Sequence, residues 1–283
     1  MLTFFFQNHD LVPTDLIVKI SKLHRGGTFK AISNLHKHKL LFHEAKIYDG
    51  YRLTYLGYDF LCLKAMSMRE HVVSVGTKIG VGKESDIYAC AGPNDEALVL
   101  KLARLGRISF RSIKTKRDYM LKRKSASWLY MSRLAAFREF SYMKVLHEHG
   151  MPIPRPVDWS RHGVLMERVM GVNLAAIGEV DDPEALYNDL MGMIMRFAAL
   201  GLIHGDFNEF NLMVSPEGKV TVIDFPQMVS IGHLNAQWYF ERDVECIVTF
   251  FLRRFKYESA LRARWEDVRP GEVGKCRSLS LRC

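Results

Sequence analysis

Three polar side chains at fixed spacing carry the strongest chemical signal in this sequence of 283 residues. Asp206 and Asn211 lie in the stretch 204–211, His-Gly-Asp-Phe-Asn-Glu-Phe-Asn, and Asp224 ends the apolar run Val-Thr-Val-Ile. One carboxylate can accept a proton from an attacking hydroxyl group, while an amide oxygen and a second carboxylate can hold Mg²⁺, which prefers oxygen ligands. The spacing is typical of the catalytic loop and metal-binding aspartate of protein kinases.

The residues around these side chains decide between two explanations of the motif. A lone aspartate followed by an asparagine is also typical of a polar loop with a buried capping aspartate. His-Gly-Asp at the start of the stretch and Val-Ile-Asp at its far end together favour phosphoryl transfer. We therefore predict a catalytic base at Asp206 and metal ligands at Asn211 and Asp224.

A glycine-rich turn between two strand-like runs is the predicted cover of the nucleotide phosphates. Gly80 and Gly82 would let backbone N–H groups approach phosphate oxygens, and Lys83 and Ser85 would add donors. The turn lacks the spacing of a Walker loop. Because such turns also occur in ordinary hairpins, this prediction depends on the presence of the other motifs.

A lysine and a glutamate complete the predicted nucleotide site. Lys101 ends the apolar run Leu-Val-Leu and matches the lysine that holds the α- and β-phosphates. Its expected partner is Glu139, on a predicted helix over 127–147. Considered alone, Lys101 would be a surface lysine with a buried stem, and Glu139 an exposed helix charge.

The run 164–169, Val-Leu-Met-Glu-Arg-Val, is the predicted hinge between two lobes. Met166 would precede the hinge, and the backbone at Glu167 and Val169 would meet the adenine edge. Without a nucleotide site, a plain buried strand is the better interpretation.

The elements that must position these residues divide the chain into two predicted parts. Residues 8–70 contain two helical patterns, a hairpin around Asp49-Gly50 and a third helix, which are the components of a winged helix. Gly26 and Gly27 are expected to end the first helix, and Thr28 to cap the second. The second helix is basic and would face nucleic acid in this arrangement, although a solvated basic face fits equally well.

The fold class that follows is α+β, with a two-lobed protein-kinase-like core preceded by the winged-helix domain. The core is predicted over 71–265, with an N-lobe over about 71–166 and a C-lobe over about 167–265. Phe225-Pro226-Gln227 follows Asp224, no Ala-Pro-Glu occurs, and too little chain remains for a long activation segment. Recognition of a peptide must therefore differ from that of ordinary kinases or be lacking. The tail, 266–283, is expected to be disordered.

Composition limits the class of protein. Apolar residues make up 48% of the chain and charged residues 25%, which are globular values. The formal net charge of +9 favours an anionic partner such as nucleic acid or nucleotide. Five scattered cysteines, with no CxxC pair, argue against a disulfide framework or a zinc site. We predict neither a signal peptide nor a transmembrane helix, because no sufficiently long apolar run occurs.

Together the motifs resemble the Rio family of atypical serine/threonine protein kinases, in the subfamily with an N-terminal winged helix. The resemblance extends from about Val12 to Trp265 and rests on four stretches: 80–86, 127–134, 204–211 and 223–227. It implies binding of ATP and Mg²⁺, a base at Asp206, and a catalytic role for Asp224 as acceptor of phosphate. The protein would then act as an ATPase-driven switch more than as a kinase of many substrates.

The resemblance also implies partners and a location. The family acts on precursors of the small ribosomal subunit, both rRNA and ribosomal proteins, in the cytoplasm, and shuttling to the nucleus is a further expectation. RNA contact is expected through the winged helix and through the basic segment 104–124, which matches a flexible loop of the family. The family carries one more helix before Asn8 and a longer, often acidic C-terminal extension, so the winged helix is expected to lack its first helix.

Two alternatives come from other classes of protein. The first is a nucleic-acid-binding regulator with a catalytically weak kinase-like core, whose RNA binding would survive loss of Lys101 and Asp224. The second is a small-molecule phosphotransferase of the aminoglycoside-kinase type, which also uses His-Gly-Asp. The short C-terminal part argues against the second, because such enzymes need a large helical region for their substrate.

Overall fold

The computed structural model describes residues 11–46, 48–105 and 128–269. The helices of these ranges are α1 (Thr14–Ser21), α2 (Arg25–Lys37), α3 (Tyr55–Met68), α4 (Trp128–Glu148), α5 (Pro183–Ala199) and α6 (Ala236–Phe255). The strands are β1 (Val12–Pro13), β2 (Leu41–Glu44), β3 (Gly50–Leu53), β4 (Ser74–Val81), β5 (Ser85–Ala91), β6 (Ala97–Ala103), β7 (Pro156–Ser160), β8 (Gly163–Glu167), β9 (Val172–Asn173), β10 (Leu202–Ile203), β11 (Leu212–Val214), β12 (Val220–Val222) and β13 (Val229–Ser230). None of the helices in these ranges combines the length and apolarity needed to cross a bilayer.

The N-terminal part has the predicted helices and hairpin, with α1, α2 and α3 around the sheet β1-β3-β2. Its helix boundaries correct the prediction. The first helix ends at Ser21, because Lys22 adopts the left-handed conformation with φ 57°. Gly27 lies inside α2 and donates its N–H to Nδ1 of His24, so His24 caps this helix. Thr28 is instead buried and hydrogen-bonds to Ser21 through the two hydroxyls, 2.8 Å apart.

A five-stranded antiparallel sheet in the order β4-β5-β6-β8-β7 forms the N-lobe. Side chains alternate between its faces along β6. Leu98, Leu100 and Leu102 are buried in one cluster with Cys62 of α3, so this face carries the winged-helix domain. Lys101 alternates with these leucines along β6, so its side chain lies on the other face, which α4 covers. One sheet therefore separates the winged helix from the lysine predicted to bind phosphate.

The contact between α3 and the sheet is close. The Sγ atom of Cys62 lies 3.0 Å from the Ser160 carbonyl oxygen, and a Cβ at Gly163 would lie only 2.5 Å from that sulfur. Glycine at 163 lets the helix approach the β7–β8 turn. The strand β7 was not predicted from the sequence.

The C-lobe consists of α5 and α6 with two small sheets, β12-β11-β9 and β10-β13. Its core contains fully buried aromatic rings: Tyr187, Phe197, Phe207, Phe225, Phe240 and Phe251. In the sheet β12-β11-β9, the strands β11 and β12 form a hairpin around 216–218. This lobe carries the catalytic loop between β10 and β11.

Two expectations fail at the edges of the core. Disorder from residue 266 is wrong for 266–269, because Val268 is 5% exposed in the core and the ring of Trp265 packs on Phe240 at 5.7 Å. Arg104, expected at the start of an RNA-contacting segment, is buried and paired with carboxylates. Three further predictions lie outside the described residues: the missing helix before Asn8, the remainder of the basic segment, and the tail over 270–283.

Candidate nucleotide and catalytic site

The catalytic loop follows β10 and turns sharply at Gly205. Gly205 has φ +75°, and a Cβ there would lie 2.8 Å from the Gln227 carbonyl oxygen. Both conditions favour glycine, since L-residues rarely adopt this conformation and a side chain would collide with backbone. The turn is followed by a short 3-10 helix, Glu209–Asn211, which leads into β11.

Asp206 is held by the amide groups of three side chains. Its Oδ1 accepts a hydrogen bond from Nδ2 of Asn208 at 3.1 Å, and its Oδ2 accepts one from Nε2 of Gln227 at 3.0 Å. Nδ2 of Asn211 donates to its main-chain oxygen at 2.9 Å. The structure thus joins Asp206 to Asn211 as predicted from the spacing. Asn208 and Gln227 were not predicted, since their types gave no separate signal.

The loop is anchored from below by Asp243 of α6. The carboxylate accepts hydrogen bonds from the N–H of Gly205 at 2.7 Å and of Phe207 at 3.1 Å. Asp243 is 2% exposed, and burial raises its pKa to about 7 although both N–H groups oppose this. Sequence reasoning missed it. A signal existed, because Asp243 shares the apolar face of α6 with Phe240 and Ile247 at helical spacing.

Asp224 is positioned through the residue before it. The N–H of Ile223 donates to the Asn211 carbonyl oxygen at 2.9 Å, and Nε2 of His204 lies 3.3 Å from the Ile223 carbonyl oxygen. Burial lowers the pKa of His204 to about 4, so the ring is neutral at physiological pH and can donate this hydrogen bond. Asp224 then adopts φ +71°, a conformation uncommon for a residue with a side chain.

Lys101 joins the two lobes at this point. Its Nζ lies 2.6 Å from Oε1 of Glu139 and 2.7 Å from Oδ1 of Asp224. Burial would lower the pKa of Lys101, but the charges of Asp224 and Glu139 outweigh it and raise the pKa, so the ammonium group stays charged. Glu139 is buried, whereas the side chain of Asp224 is 41% exposed. The predicted pair of Lys101 and Glu139 is present, with Asp224 as a second partner.

The glycine-rich turn lies beside Lys101 through the register of the sheet. Gly80 pairs with Ile87, which in turn pairs with Lys101 in the next strand. The turn itself covers residues 82–84 between β4 and β5, where Lys83 is exposed. It is closed by the N–H of Gly82, which donates to the Ser85 carbonyl oxygen at 2.8 Å.

The predicted hinge begins where β8 ends at Glu167. The N–H of Glu167 donates to the Arg155 carbonyl oxygen at 2.9 Å, so Glu167 can offer only its carbonyl group to an adenine. Val169 follows outside the strand and is half-buried. Within the described part of the chain its N–H has no backbone acceptor. The contacts of Glu167 and Val169 with adenine stay predictions.

The side chains at this site limit which metal ion could bind there. Among the described residues, no group of three or more His, Cys, Asp and Glu side chains could enclose a metal ion. Asn211 uses its Nδ2 on Asp206, which leaves Oδ1 as the atom that could bind a cation beside Asp224. Mg²⁺ typically takes one or two carboxylates and completes its shell with phosphate and water. Asn211 and Asp224 therefore fit Mg²⁺ in the presence of a nucleotide.

Comparison with known families agrees with this geometry. A family model of the RIO domain matches residues 86–263, and a model of the Rio2 N-terminal domain matches residues 3–69. The chain belongs to the RIO family. The predicted resemblance and the predicted fold class, a kinase-like core with a winged helix, are thereby confirmed.

RIO proteins of several organisms are similar over most of this chain. The serine/threonine-protein kinase rio2 of Dictyostelium discoideum is 56% identical over 89% of the chain, and that of Schizosaccharomyces pombe is 52% identical over 93%. A crystal structure of the Rio2 kinase from Chaetomium thermophilum, as an ADP/Mg²⁺-phosphoaspartate complex, superposes with a TM-score of 0.83 at 46% identity. The superposition covers 94% of this chain and 82% of the Chaetomium chain. The chain spans 48% of the Dictyostelium protein and 76% of the S. pombe protein.

Proposed function

We propose that this RIO-family chain is an ATP- and Mg²⁺-dependent serine/threonine kinase and ATPase. The observation that carries the proposal is the position of Lys101 between Glu139 and Asp224, with Asp224 fixed against the catalytic loop through Ile223. Two supports come from relatives, which are described as serine/threonine-protein kinases and, in the Chaetomium structure, as holding ADP and Mg²⁺.

The roles of the cleft residues follow from their charge and placement. Lys101 would hold the α- and β-phosphates. The glycine-rich turn, with Gly82 and Lys83, would cover them together with Gly80 and Ser85 of the flanking strands. Asn211 and Asp224 would hold Mg²⁺, which would neutralise the charge that develops on the phosphates during transfer. The backbone at Glu167 and Val169 would position the adenine.

Asp206 would act as the base. When a hydroxyl oxygen attacks the γ-phosphorus, the bond to the β-phosphate oxygen breaks, ADP leaves, and the hydroxyl proton passes to the Asp206 carboxylate. The amide donors of Asn208 and Gln227 fix the position of the carboxylate for this transfer. General base catalysis of this kind contributes about 10²–10⁴-fold in rate.

Asp224 would also accept phosphate. Its carboxylate would attack the γ-phosphorus, ADP would leave, and water would then hydrolyse the acyl phosphate and return Asp224 and inorganic phosphate. The exposure of this side chain and its contact with Lys101 support the step, because the ammonium group favours the approach of two anionic groups. The phosphoaspartate in the Chaetomium structure supports it as well.

The physiological partner would be a precursor of the small ribosomal subunit in the cytoplasm, with shuttling to the nucleus. This proposal rests on the family and on the net charge of +9. It is also supported by exposed lysines of the winged helix, Lys30 and Lys37 on α2 and Lys39 just after it. The same surface supports the second candidate, a nucleic-acid-binding regulator with a weak catalytic core.

Turnover of ATP with Mg²⁺ tests the proposal, together with nucleotide binding by two variants. Asp206→Ala should lose turnover and keep ATP binding, because Asp206 acts only on the transferred proton. Asp224→Ala should weaken the Mg²⁺-dependent part of nucleotide binding. Unchanged turnover in both variants would contradict the proposed enzyme. RNA binding that survives Lys101→Met and Asp224→Ala, in a chain without ATP hydrolysis, would favour the regulator.

A further inference from the structure

A second charged cluster lies on the face of the N-lobe sheet opposite to Lys101. Arg104 donates from Nη1 and Nη2 to the two carboxylate oxygens of Asp59, at 2.7 and 2.6 Å, and from Nε to Asp86 at 3.0 Å. Nε2 of His162 lies 2.7 Å from Oδ1 of Asp59. All four side chains are buried. The catalytic mechanism uses none of them.

The members of this cluster come from both domains. Asp59 lies on α3 of the winged-helix domain, while Arg104 and Asp86 belong to the N-lobe. His162 lies in the turn between β7 and β8. Burial would raise the pKa of Asp59, but hydrogen bonds from His162 and Arg104 outweigh it and lower the pKa, so this carboxyl is ionised. The interface between the domains therefore contains a buried network of ion pairs.

The network also contacts both strands that flank the glycine-rich turn. Asp86 lies two residues after the turn on β5, and Lys78 of β4 lies 3.4 Å from its other carboxylate oxygen. The backbone N–H of Arg104 donates to the carbonyl oxygen of Glu84, inside the turn. One residue thus fixes the turn by its main chain and by its side chain.

Other contacts also hold the winged helix against the sheet. Arg69 of the same domain already pairs with Asp158 of β7 at 2.8 Å, and Cys62 and Met66 pack on the leucines of β6. A buried ion network is a costly way to join two domains, since desolvation offsets most of its attraction. Its directional, bidentate geometry is suited to fixing a position.

We propose that Arg104 is a positioning residue for the glycine-rich turn, and that Asp59 makes the winged-helix domain a part of the nucleotide site. The inference rests on the proposed nucleotide binding. The α3 carboxylate holds the Arg104 guanidinium, which in turn sets the backbone that would cover the phosphates. A change in how α3 sits on the sheet would therefore alter the affinity for nucleotide, and nucleotide would in turn stabilise α3.

Two variants test the connection by nucleotide affinity. Arg104→Lys keeps the charge but cannot pair with both oxygens of Asp59 and with Asp86 together, and Asp59→Asn removes the interdomain charge. Each should raise the Kd for ADP·Mg²⁺ about tenfold, as expected if the turn is correctly placed about a tenth of the time. Turnover at saturating ATP should stay within about twofold, because the catalytic groups are untouched.

Arg69→Gln is the matched control. It removes the other charged contact of the same domain, which does not touch the glycine-rich turn. Its Kd for ADP·Mg²⁺ should stay within about twofold of the unchanged chain. An equal loss of affinity in Arg69→Gln and Asp59→Asn would overturn the inference, since docking alone would then explain the effect.

Hydrogen exchange on the unchanged chain gives a test that needs no variant to fold. ADP·Mg²⁺ should slow the exchange of amides in α3 as well as in the glycine-rich turn. Protection of the turn without any change in α3 would overturn the inference and leave the proposed function intact. If the unchanged chain did not bind ADP·Mg²⁺ at all, the proposed function would fail together with the inference.

Discussion

Lys101 and Arg104 are three residues apart, yet their charges are managed in different ways. Lys101 shares its ammonium group between buried Glu139 and Asp224, which is 41% exposed. Arg104 is enclosed by Asp59 and Asp86, and its own side chain is 9% exposed. An exposed carboxylate can exchange a lysine for a phosphate or a cation without leaving a buried charge unpaired. Arg104 has no partner that can leave at such a low cost.

The two clusters serve different purposes on opposite faces of the N-lobe sheet. The cluster at Lys101 connects the N-lobe to the C-lobe, where substrates must enter and leave. The cluster at Arg104 connects the N-lobe to the winged helix, where nothing has to exchange. Lys101 lies within β6 and Arg104 directly follows its last residue, and the two side chains lie on opposite faces of the sheet.

The strongest test of this comparison is the stability of two matched variants. Arg104→Met leaves Asp59 and Asp86 buried near each other without their cation, and should lower the free energy of unfolding by about 3–5 kcal/mol. Lys101→Met should cost less, about 1–3 kcal/mol, because Asp224 can turn to solvent and only Glu139 stays unpaired. Urea unfolding at pH 7 measures both values. Equal losses would contradict the distinction between the Lys101 cluster, which has an exposed partner, and the Arg104 cluster, which is buried.

The pH dependence of stability tests the role of His204, which positions the residue before Asp224. Its pKa is about 4 in the fold against 6.5 for an unperturbed histidine, since burial disfavours the charged ring. The stabilisation by neutral His204 is therefore complete above about pH 6.5 and is lost as pH falls toward 4.

His204→Gln does not titrate and can still donate to Ile223. The free energy of unfolding of the unchanged chain should thus fall relative to this variant by up to about 3 kcal/mol between pH 6.5 and 4. Parallel pH profiles of the two proteins would show that the fold does not lower the pKa of His204.

A smaller effect is expected at Asp243, where a buried carboxylate holds backbone rather than a cation. Asp243→Asn keeps one acceptor oxygen, so either the Gly205 or the Phe207 N–H loses its partner, at a cost of about 1–3 kcal/mol. Exchange of these two amides with solvent should become faster, as hydrogen exchange would measure. Unchanged exchange at both positions would mean that the loop does not depend on Asp243.

Local patterns predicted more of the fold than of its long-range contacts. The strands on either side of the glycine-rich turn and the hairpin before Asp224 were predictable, because alternating apolar residues and turn residues lie next to each other in sequence. The boundary of α1 was not, since Lys22 rather than a glycine adopts the left-handed conformation. A capping histidine at position 24 likewise overrides the expectation that Thr28 begins the second helix.

The candidate site likewise combines residues that a local pattern predicts with residues that only the packing brings together. The spacing of Asp206, Asn211 and Asp224 is a property of one loop and one hairpin, so the sequence displays it directly. Asp243 reaches the loop from a distant helix, and no local pattern assigns its partner. Asp59 and Arg104 meet across a domain interface, where each alone resembles an ordinary surface charge. Predicting such pairs requires the packing of the sheet, which is set by many weak contacts together.

Asp224 is proposed to lie at the point of phosphoryl transfer, and direct identification of the phosphorylated residue tests this role. The chain is incubated with ATP carrying a labelled γ-phosphate and with Mg²⁺, and the protein-bound label is then treated with hydroxylamine. An acyl phosphate is cleaved by hydroxylamine, whereas serine and threonine phosphates resist it. Reduction of a parallel sample with tritiated borohydride marks the acceptor aspartate, which peptide mapping locates. We expect hydroxylamine-labile phosphate and tritium in the peptide that contains Asp224, with both absent in Asp224→Asn. Label that resists hydroxylamine entirely, or tritium in a peptide without Asp224, would contradict it.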